Sequence, residues 1–331
     1  MEIIPTTYML RDEKDYEEIV NTYVSLGINR LRVNCTRFTD DEYYYHVSMY
    51  RKYYKMHSQE PYILLDIPSP GDKIRVRFKN ISKNFEIIDN NVYDLVLDSA
   101  QTFDSNKLYI NSKEFFHKTC VGDQIVIGDG DISLIVLDVS PTVIKVRAQN
   151  SGSIVFMKSI YTDKFLFKKD NIFNQIKKFS SLINLINPSG LILSFIENSE
   201  EVAIYKQAFK NIEIIPKIET PLGVQKIEDI LTSCNEVLLG RGDLGMIEKN
   251  SIGKYQQAVI NSCKDNNKKV IIATDILASI DMRQTIPKRA ELVDVYYLKK
   301  LQVNSIVSSA PISKKSDTIK RFCEIINETE I

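Results

Sequence analysis

Two short runs hold side chains that could do chemistry. Ile215-Pro216-Lys217-Ile218-Glu219-Thr220 closes an apolar, β-branched stretch, with Lys217 and Glu219 two residues apart. On a strand that spacing sends both to the same side. A lysine and a glutamate so placed either serve a reacting group or pair with each other, and this run alone leaves both readings open. The second run is Val237-Leu238-Leu239-Gly240-Arg241-Gly242-Asp243-Leu244-Gly245, a literal G-x-G-x-x-G after a candidate strand. The dinucleotide reading fails on context. The run sits mid-chain after other strands, encloses an aspartate, and continues Met246-Ile247-Glu248-Lys249-Asn250 without a clear helix start. In the alternative, N–H groups around Gly242 face an anion while Asp243 binds metal. Glu219 and Asp243 are hard oxygen donors that suit Mg²⁺ or Mn²⁺, ions that take one or two carboxylates and leave the rest to water and substrate.

The remaining titratable residues narrow the chemistry. His46, His57 and His117 have no plausible partner in sequence and read as surface or helix residues, so a Ser-His-Asp triad and a His-rich zinc site are not expected. Acid–base work falls to Lys, Asp, Glu, Thr or water. Cys35, Cys120, Cys234, Cys263 and Cys323 are scattered, odd in number and never in a CxxC pair, which reads as reduced core thiols in a cytosolic protein. Lys+Arg and Asp+Glu both count 43, so no global charge argues for nucleic acid or a membrane surface. No apolar run reaches the ~20 residues of a membrane helix, and the start Met1-Glu2-Ile3-Ile4-Pro5 lacks the pattern of a secretion signal.

The elements that must position these residues alternate along the chain. Candidate strands are Ile3–Thr6, Arg30–Val33, Tyr62–Asp66, Gly190–Ser194, Glu213–Ile218, Glu236–Leu239, Lys269–Thr274 and Ser305–Ser308. Amphipathic stretches follow them at Tyr16–Leu26, Thr39–Met56, Lys169–Leu185, Asn198–Phe209, Pro221–Thr232, Tyr255–Asn266, Lys288–Lys300 and Asp317–Asn327. Thr39 with Glu42, and Asn198 with Glu201, fit helix-capping arrangements, and Pro221 fits a first turn. Residues 77–158 break the alternation with β-rich runs and no convincing amphipathic helix. Without them about 250 residues remain, the size of one (β/α)8 TIM barrel. The expected fold is therefore α/β: a barrel of residues 1–76 and 159–331 with a small β domain, 77–158, inserted after the third strand. The tyrosines at 43, 44, 45, 50, 53 and 54 cover more than one face of the second helix, as a barrel helix or as part of a homo-oligomer contact.

Several ordered motifs resemble the pyruvate kinase family. Pro216–Glu219 and Gly240–Gly245 are similar to its lysine-x-glutamate and A-R-G-D-L-G signatures. Arg32-Val33-Asn34-Cys35-Thr36 resembles R-L-N-F-S, and Leu65-Asp66 with Lys73-Ile74-Arg75 resembles A-L-D-T-K-G-P-E-I-R. Gly128–Leu134 resembles D-D-G-L-I-S-L of the lid domain, Val270–Thr274 resembles V-I-C-A-T, and Pro287–Glu291 resembles P-T-R-A-E. The family fold is a barrel with a β lid after strand three.

The resemblance implies roles. Glu219 and Asp243 hold the divalent metal. Lys217 neutralises the phosphoryl group in flight and stabilises the enolate, and Arg32 holds the phosphate. The backbone around Arg241 and Gly242 grips the substrate carboxylate, with Asp243 and Thr274 beside it, Thr274 on the proton-donating side. Arg75, Asp129 and Lys158 face the nucleotide, and Arg37 takes the place of a nucleotide-contacting histidine. Asn34, Thr36 and Asp66 correspond to a monovalent-cation site. There Ile67 replaces a hydroxyl ligand and Lys73 stands where an ammonium supplies the ion's charge, so K⁺ is not expected to be required. The D-T-K-G-P run is Asp66-Ile67-Pro68-Ser69-Pro70, and the eighth-strand S-G-E-T motif is Ser309-Ala310-Pro311-Ile312. The chain stops after the eighth helix, so the C-terminal regulatory domain is expected to be absent. With 12 glycines in 331 residues, the chain is poor in glycine, which averages ~7% of residues elsewhere, as fits the loss of loop glycines. The expected function is Mg²⁺-dependent phosphoryl transfer involving phosphoenolpyruvate, pyruvate or a close 2-keto acid and a nucleotide, in the cytoplasm. The alternatives are metal-dependent enolate chemistry as a lyase or decarboxylase, and a non-catalytic metabolite-binding protein.

Overall fold

Eight strands form one parallel sheet: β1 (Glu2–Pro5), β2 (Arg30–Asn34), β3 (Tyr62–Ile67), β4 (Gly190–Leu193), β5 (Glu213–Ile218), β6 (Glu236–Gly240), β7 (Lys269–Ala273) and β8 (Ser305–Ser308). They are ordered β2-β3-β4-β5-β6-β7-β8-β1, and the sheet turns back on itself where Thr6 bridges Arg32 in the parallel sense. At that seam the Thr7 amide donates to the Arg32 carbonyl at 2.8 Å. This computed structural model describes residues 1–36, 38–69, 74–78, 84–98, 107–128, 130–162, 171–247, 250–282 and 286–330. Arg37, Lys73 and Asp129, all expected site residues, lie outside the described residues.

The helices are α1 (Glu13–Ser25), α2 (Asp40–Met56), α3 (Ile172–Ile186), α4 (Ser199–Ala208), α5 (Pro221–Gln225), α6 (Ile227–Leu231), α7 (Arg241–Ile247), α8 (Ile252–Asp265), α9 (Arg289–Lys300), α10 (Ala310–Ser313) and α11 (Ser316–Glu328). Their ends follow local chemistry. Thr39 and Glu42 form a reciprocal capping box, and Asn198 accepts from the Glu201 amide. Asn187 ends α3 in the left-handed region, where an asparagine fits. The single helix expected over Pro221–Thr232 is two short pieces, broken at Lys226.

Alternation along the strands divides the core. Ile4, Leu64, Ile192, Ile215, Leu238, Ile271 and Val307 fill the barrel interior, while Ile63, Leu65, Leu191, Leu193 and their neighbours pack outward on the helices. Each such side chain contributes roughly 1.5–3 kcal/mol by leaving water. Strand β2 departs from the pattern. Leu31 and Val33 belong to the outer core, so alternation gives Arg30, Arg32 and Asn34 the inward positions. Arg30 pairs with Glu236 at 2.5 Å and with Glu2 at 3.0 Å, under the ring of Tyr62.

The chain forms two compact units. The first is residues 1–70, 171–245 and 250–331; the second is 71–170 with 246–249. The second unit is wider than the expected 77–158, because Ile74, Val76 and Ile160 are buried in its own core with Leu95, Ile125, Leu134 and Ile144. Its main sheet has seven strands, among them Gln124–Ile127, Ile132–Val139 and Val143–Ala148. It also holds a short helix, Lys113–Lys118, that the periodicity did not reveal.

Three expectations need correction or refinement. His46 has partners after all: it is buried between Tyr16 and Thr7, because α2 turns it towards β1. Cys120 is exposed, unlike the other four thiols. Of the six α2 tyrosines, Tyr43, Tyr50, Tyr53 and Tyr54 are core residues and only Tyr44 and Tyr45 are exposed. Among the described residues no helix is long and apolar enough to cross a membrane.

Candidate active site

The carboxyl ends of β2, β3 and β5 bring opposite charges together. Arg32 donates from Nε and Nη2 to Asp66 Oδ2, at 2.8 and 2.6 Å, and from Nη1 to Thr6 Oγ1 at 2.7 Å. Lys217 lies 3.0 Å from Glu219 and 3.7 Å from Asp66. Of the two sequence readings, the structure shows the pairing of Lys217 with Glu219, within a larger cluster that includes Asp66 and Arg32. Burial alone would lower the lysine's pKa. The carboxylates of Asp66, Glu219 and Asp243 outweigh that, and hold the ammonium above its ordinary range.

Glu219 is buried, and its other oxygen accepts the Phe195 amide at 3.2 Å. Its Cγ crowds β6 so closely that a Cβ on Gly240 would stand 2.8 Å away. Glycine at 240 is therefore a steric requirement of the carboxylate. A Cβ on Gly242 would stand 3.3 Å from Thr274 Cγ2, so Gly242 lets the threonine lie against the start of α7. The run after β6 is itself helical, Arg241–Ile247, where the sequence offers no clear helix start.

Arg241 turns its guanidinium into the protein. It donates to the Thr274 carbonyl (3.1 and 2.6 Å), to both Asp294 oxygens (2.8 Å each) and to Gln256 (3.3 Å). Its side chain ties α7 to the turn after β7. That turn is strained: Thr274 has φ 80°, Asp275 56° and Leu277 49°, and Phe195 after β4 has 60°. Sequence reasoning missed Thr6, Phe195, Gln256 and Asp294. The two helical anchors carry no local signal, and Phe195 acts through its amide.

The other expected residues are placed as follows. Asn34 ends β2, and its carbonyl accepts from Tyr43 Oη at 3.0 Å; Thr36 is exposed. In the second unit, Lys158 pairs with Asp131 at 3.2 Å, and Arg75 donates to the Met157 carbonyl at 3.1 Å and Ser159 Oγ at 3.2 Å. Among the described residues no group of three or more His, Cys, Asp or Glu is gathered as a metal cage. The hard carboxylates fit a Mg²⁺ or Mn²⁺ that draws most of its ligands from water and substrate.

A parallel eight-stranded barrel with a β-rich second unit and a strand-end cluster of arginine, lysine and carboxylates defines an α/β-barrel protein with a charged, buried strand-end site. Comparison gives the family. The model of the pyruvate kinase barrel domain matches residues 3–298. The pyruvate kinase of Thermotoga maritima is 25% identical over 287 residues, 85% of this chain and 60% of its own. That of Debaryomyces hansenii is 30% identical over 288 residues, 81% of this chain and 55% of its own. The crystal structure of Cryptosporidium parvum pyruvate kinase superposes with a TM-score of 0.82 and 20% identity, covering 100% of this chain and 71% of that one, a likeness of fold. The chain belongs to the pyruvate kinase family. It spans 60% and 55% of the length of these two curated relatives.

Proposed function

We propose that this chain is a pyruvate-kinase-like phosphotransferase that moves a phosphoryl group between phosphoenolpyruvate or pyruvate (or a close 2-keto acid) and a nucleotide. The observation that carries the reading is the cluster of Arg32, Asp66, Lys217 and Glu219, held within 3.7 Å contacts. With Asp243 it joins two cations to three carboxylates, so a divalent ion converts a net negative site into one that attracts an anion. Phosphoryl transfer asks mainly for such placed charge. Glu219 and Asp243 would hold Mg²⁺ or Mn²⁺, which supplies charge neutralisation and substrate orientation. Arg32 binds the phosphate. Lys217 shields the group in flight and the enolate left behind. Amides at Arg241 and Gly242 bind the carboxylate, and Thr274 lies on the side where a proton is delivered. Arg37, Arg75, Asp129 and Lys158 serve the nucleotide, while Asn34, Thr36 and Asp66, with Lys73 supplying the charge, dispense with K⁺. The protein works in the cytoplasm, and Tyr44 and Tyr45 of α2 are available to a second copy.

A coupled assay with phosphoenolpyruvate, Mg²⁺ and several nucleoside diphosphates tests this reading. No turnover with any of them, together with pyruvate proton exchange in Mg²⁺ alone, would replace it with enolate chemistry as a lyase or decarboxylase. The Ile67-Pro68-Ser69 departure favours that second reading. Failure of both assays alongside tight metabolite binding would indicate a non-catalytic sensor.

A further inference from the structure

His46 lies behind the site, and its hydrogen bonds can be given a direction by counting protons. Thr7 Oγ1 lies 3.2 Å from the Arg32 carbonyl, an atom that can only accept, and we assign the hydroxyl's single proton to that bond. His46 Nε2, 2.8 Å from the same hydroxyl oxygen, must then be the donor. A neutral ring protonated at Nε2 has a bare Nδ1, and Tyr16 Oη, 3.0 Å away, donates to it. Tyr16 Oη in turn accepts the Leu10 amide at 3.2 Å. The chain runs one way, from Leu10 through Tyr16, His46 and Thr7 to Arg32. An imidazolium would reverse the Tyr16 bond and leave the phenol proton without this acceptor.

The chain ends where the barrel closes. Thr6 and Arg32 form the bridge between β1 and β2, and Arg32 is held there by the Thr7 amide on its carbonyl and by Thr6 Oγ1 on its guanidinium. Among the described residues, the imidazole makes ring contacts with the phenols of Tyr16 from α1 and Tyr50 from α2, and its hydrogen-bond partners are Tyr16 Oη and the Thr7 hydroxyl just after β1. Burial pushes its pKa down to about 4, so the ring is neutral at physiological pH.

We propose that His46 is a positioning residue: as a neutral Nε2–H ring it locks Thr7 onto the barrel seam and so fixes the backbone from which Arg32 reaches its anion. This deepens the functional reading above and rests on Arg32 binding that anion.

The test uses the full chain with ¹⁵N-labelled histidine. The His46 signal is the one lost in His46→Gln, and it is expected to report a neutral Nε2–H ring throughout about pH 5.5–7.5, where ordinary histidines titrate. An imidazolium or an Nδ1–H ring in that range overturns the proposal. A second arm measures phosphoenolpyruvate binding with Mg²⁺ by calorimetry. Thr7→Val and His46→Phe should each weaken it roughly three- to tenfold, the scale of one neutral hydrogen bond. The double variant should be no weaker than the worse single one, since both break one chain. His46→Gln, which keeps a donor towards Thr7, should recover most of the affinity. Thr7→Val removes one hydroxyl at constant shape and decides the matter where His46→Phe does not fold. Arg32→Lys separates the two levels. Weakened binding there with parental binding in Thr7→Val overturns the positioning role alone, and parental binding in Arg32→Lys overturns the reading beneath it.

Discussion

Gly240→Ala places a single methyl group against the most confined carboxylate of the site. The new Cβ would stand 2.8 Å from Glu219 Cγ and 3.1 Å from Oε1. Carbon atoms in good contact are ~3.5–4.0 Å apart, so roughly 1 Å must be found. Glu219 is 2% exposed, and it cannot retreat without loosening Lys217 at 3.0 Å or the Phe195 amide at 3.2 Å. Overpacking costs about 1–3 kcal/mol, and a strained charge-assisted hydrogen bond adds about 1 more, giving a loss of about 2–4 kcal/mol. Gly253→Ala is the matched control. Gly253 lies in α8 with nothing within 4 Å of its Cβ position, so alanine there should add about 0.5–1 kcal/mol. Urea unfolding followed by the barrel's circular dichroism, and Mn²⁺ titration of the folded proteins, read both effects. Parental stability and Mn²⁺ affinity in Gly240→Ala would refute the close approach of Glu219 to β6.

Glu219→Gln and Asp243→Asn should each weaken Mg²⁺ binding and lower kcat by about 10²–10³; parental Mg²⁺ binding in both would assign the metal to other groups. Because the buried His46 resists protonation until about 4 against an ordinary 6.5, the unfolded chain takes its proton first as pH falls. Its contribution is complete above about pH 6.5 and declines towards pH 4 by up to about 3 kcal/mol, and a pH series of urea midpoints should be flatter in His46→Gln than in the parent. Arg30→Met strips Glu236, whose side chain is 3% exposed, of its main partner and should cost about 3 kcal/mol; a loss below about 1 would show the pair to be incidental. Turnover should be independent of K⁺ at constant ionic strength and lost in Lys73→Glu without K⁺, whereas severalfold stimulation of the parent by K⁺ would exclude the tethered ammonium.

The barrel strands are legible in sequence because each is a short apolar run with its own punctuation, and Glu213–Ile218 and Ser305–Ser308 match to the residue. Helix α7 is not, since Arg241-Gly242-Asp243-Leu244-Gly245 holds two glycines and no apolar period. The fate of His46 is hidden for another reason. Seven α2 residues are buried, several of them tyrosines, so hydropathy does not say which face turns inward. Within the site, Lys217 and Glu219 announce themselves by spacing on one strand. Asp66 joins them from another strand, and the motif identifies it without showing that it takes both Arg32 and Lys217. Arg241 illustrates the converse: its position is legible, yet its guanidinium is taken up by Asp294 and the Thr274 carbonyl, partners that the motif does not reveal.

The left-handed turns above the strands bear on how the sequence can drift. At Phe195 and Leu277 the backbone favours glycine or asparagine, while the surroundings bury a large apolar side chain. A change to glycine relaxes the turn and empties a filled socket; a change to another bulky residue keeps the socket partly filled and the turn strained. Almost any substitution loses on one side. Connecting loops are ordinarily where a fold tolerates most variation, but in this chain the turns that frame the site should be among its slowest-changing segments.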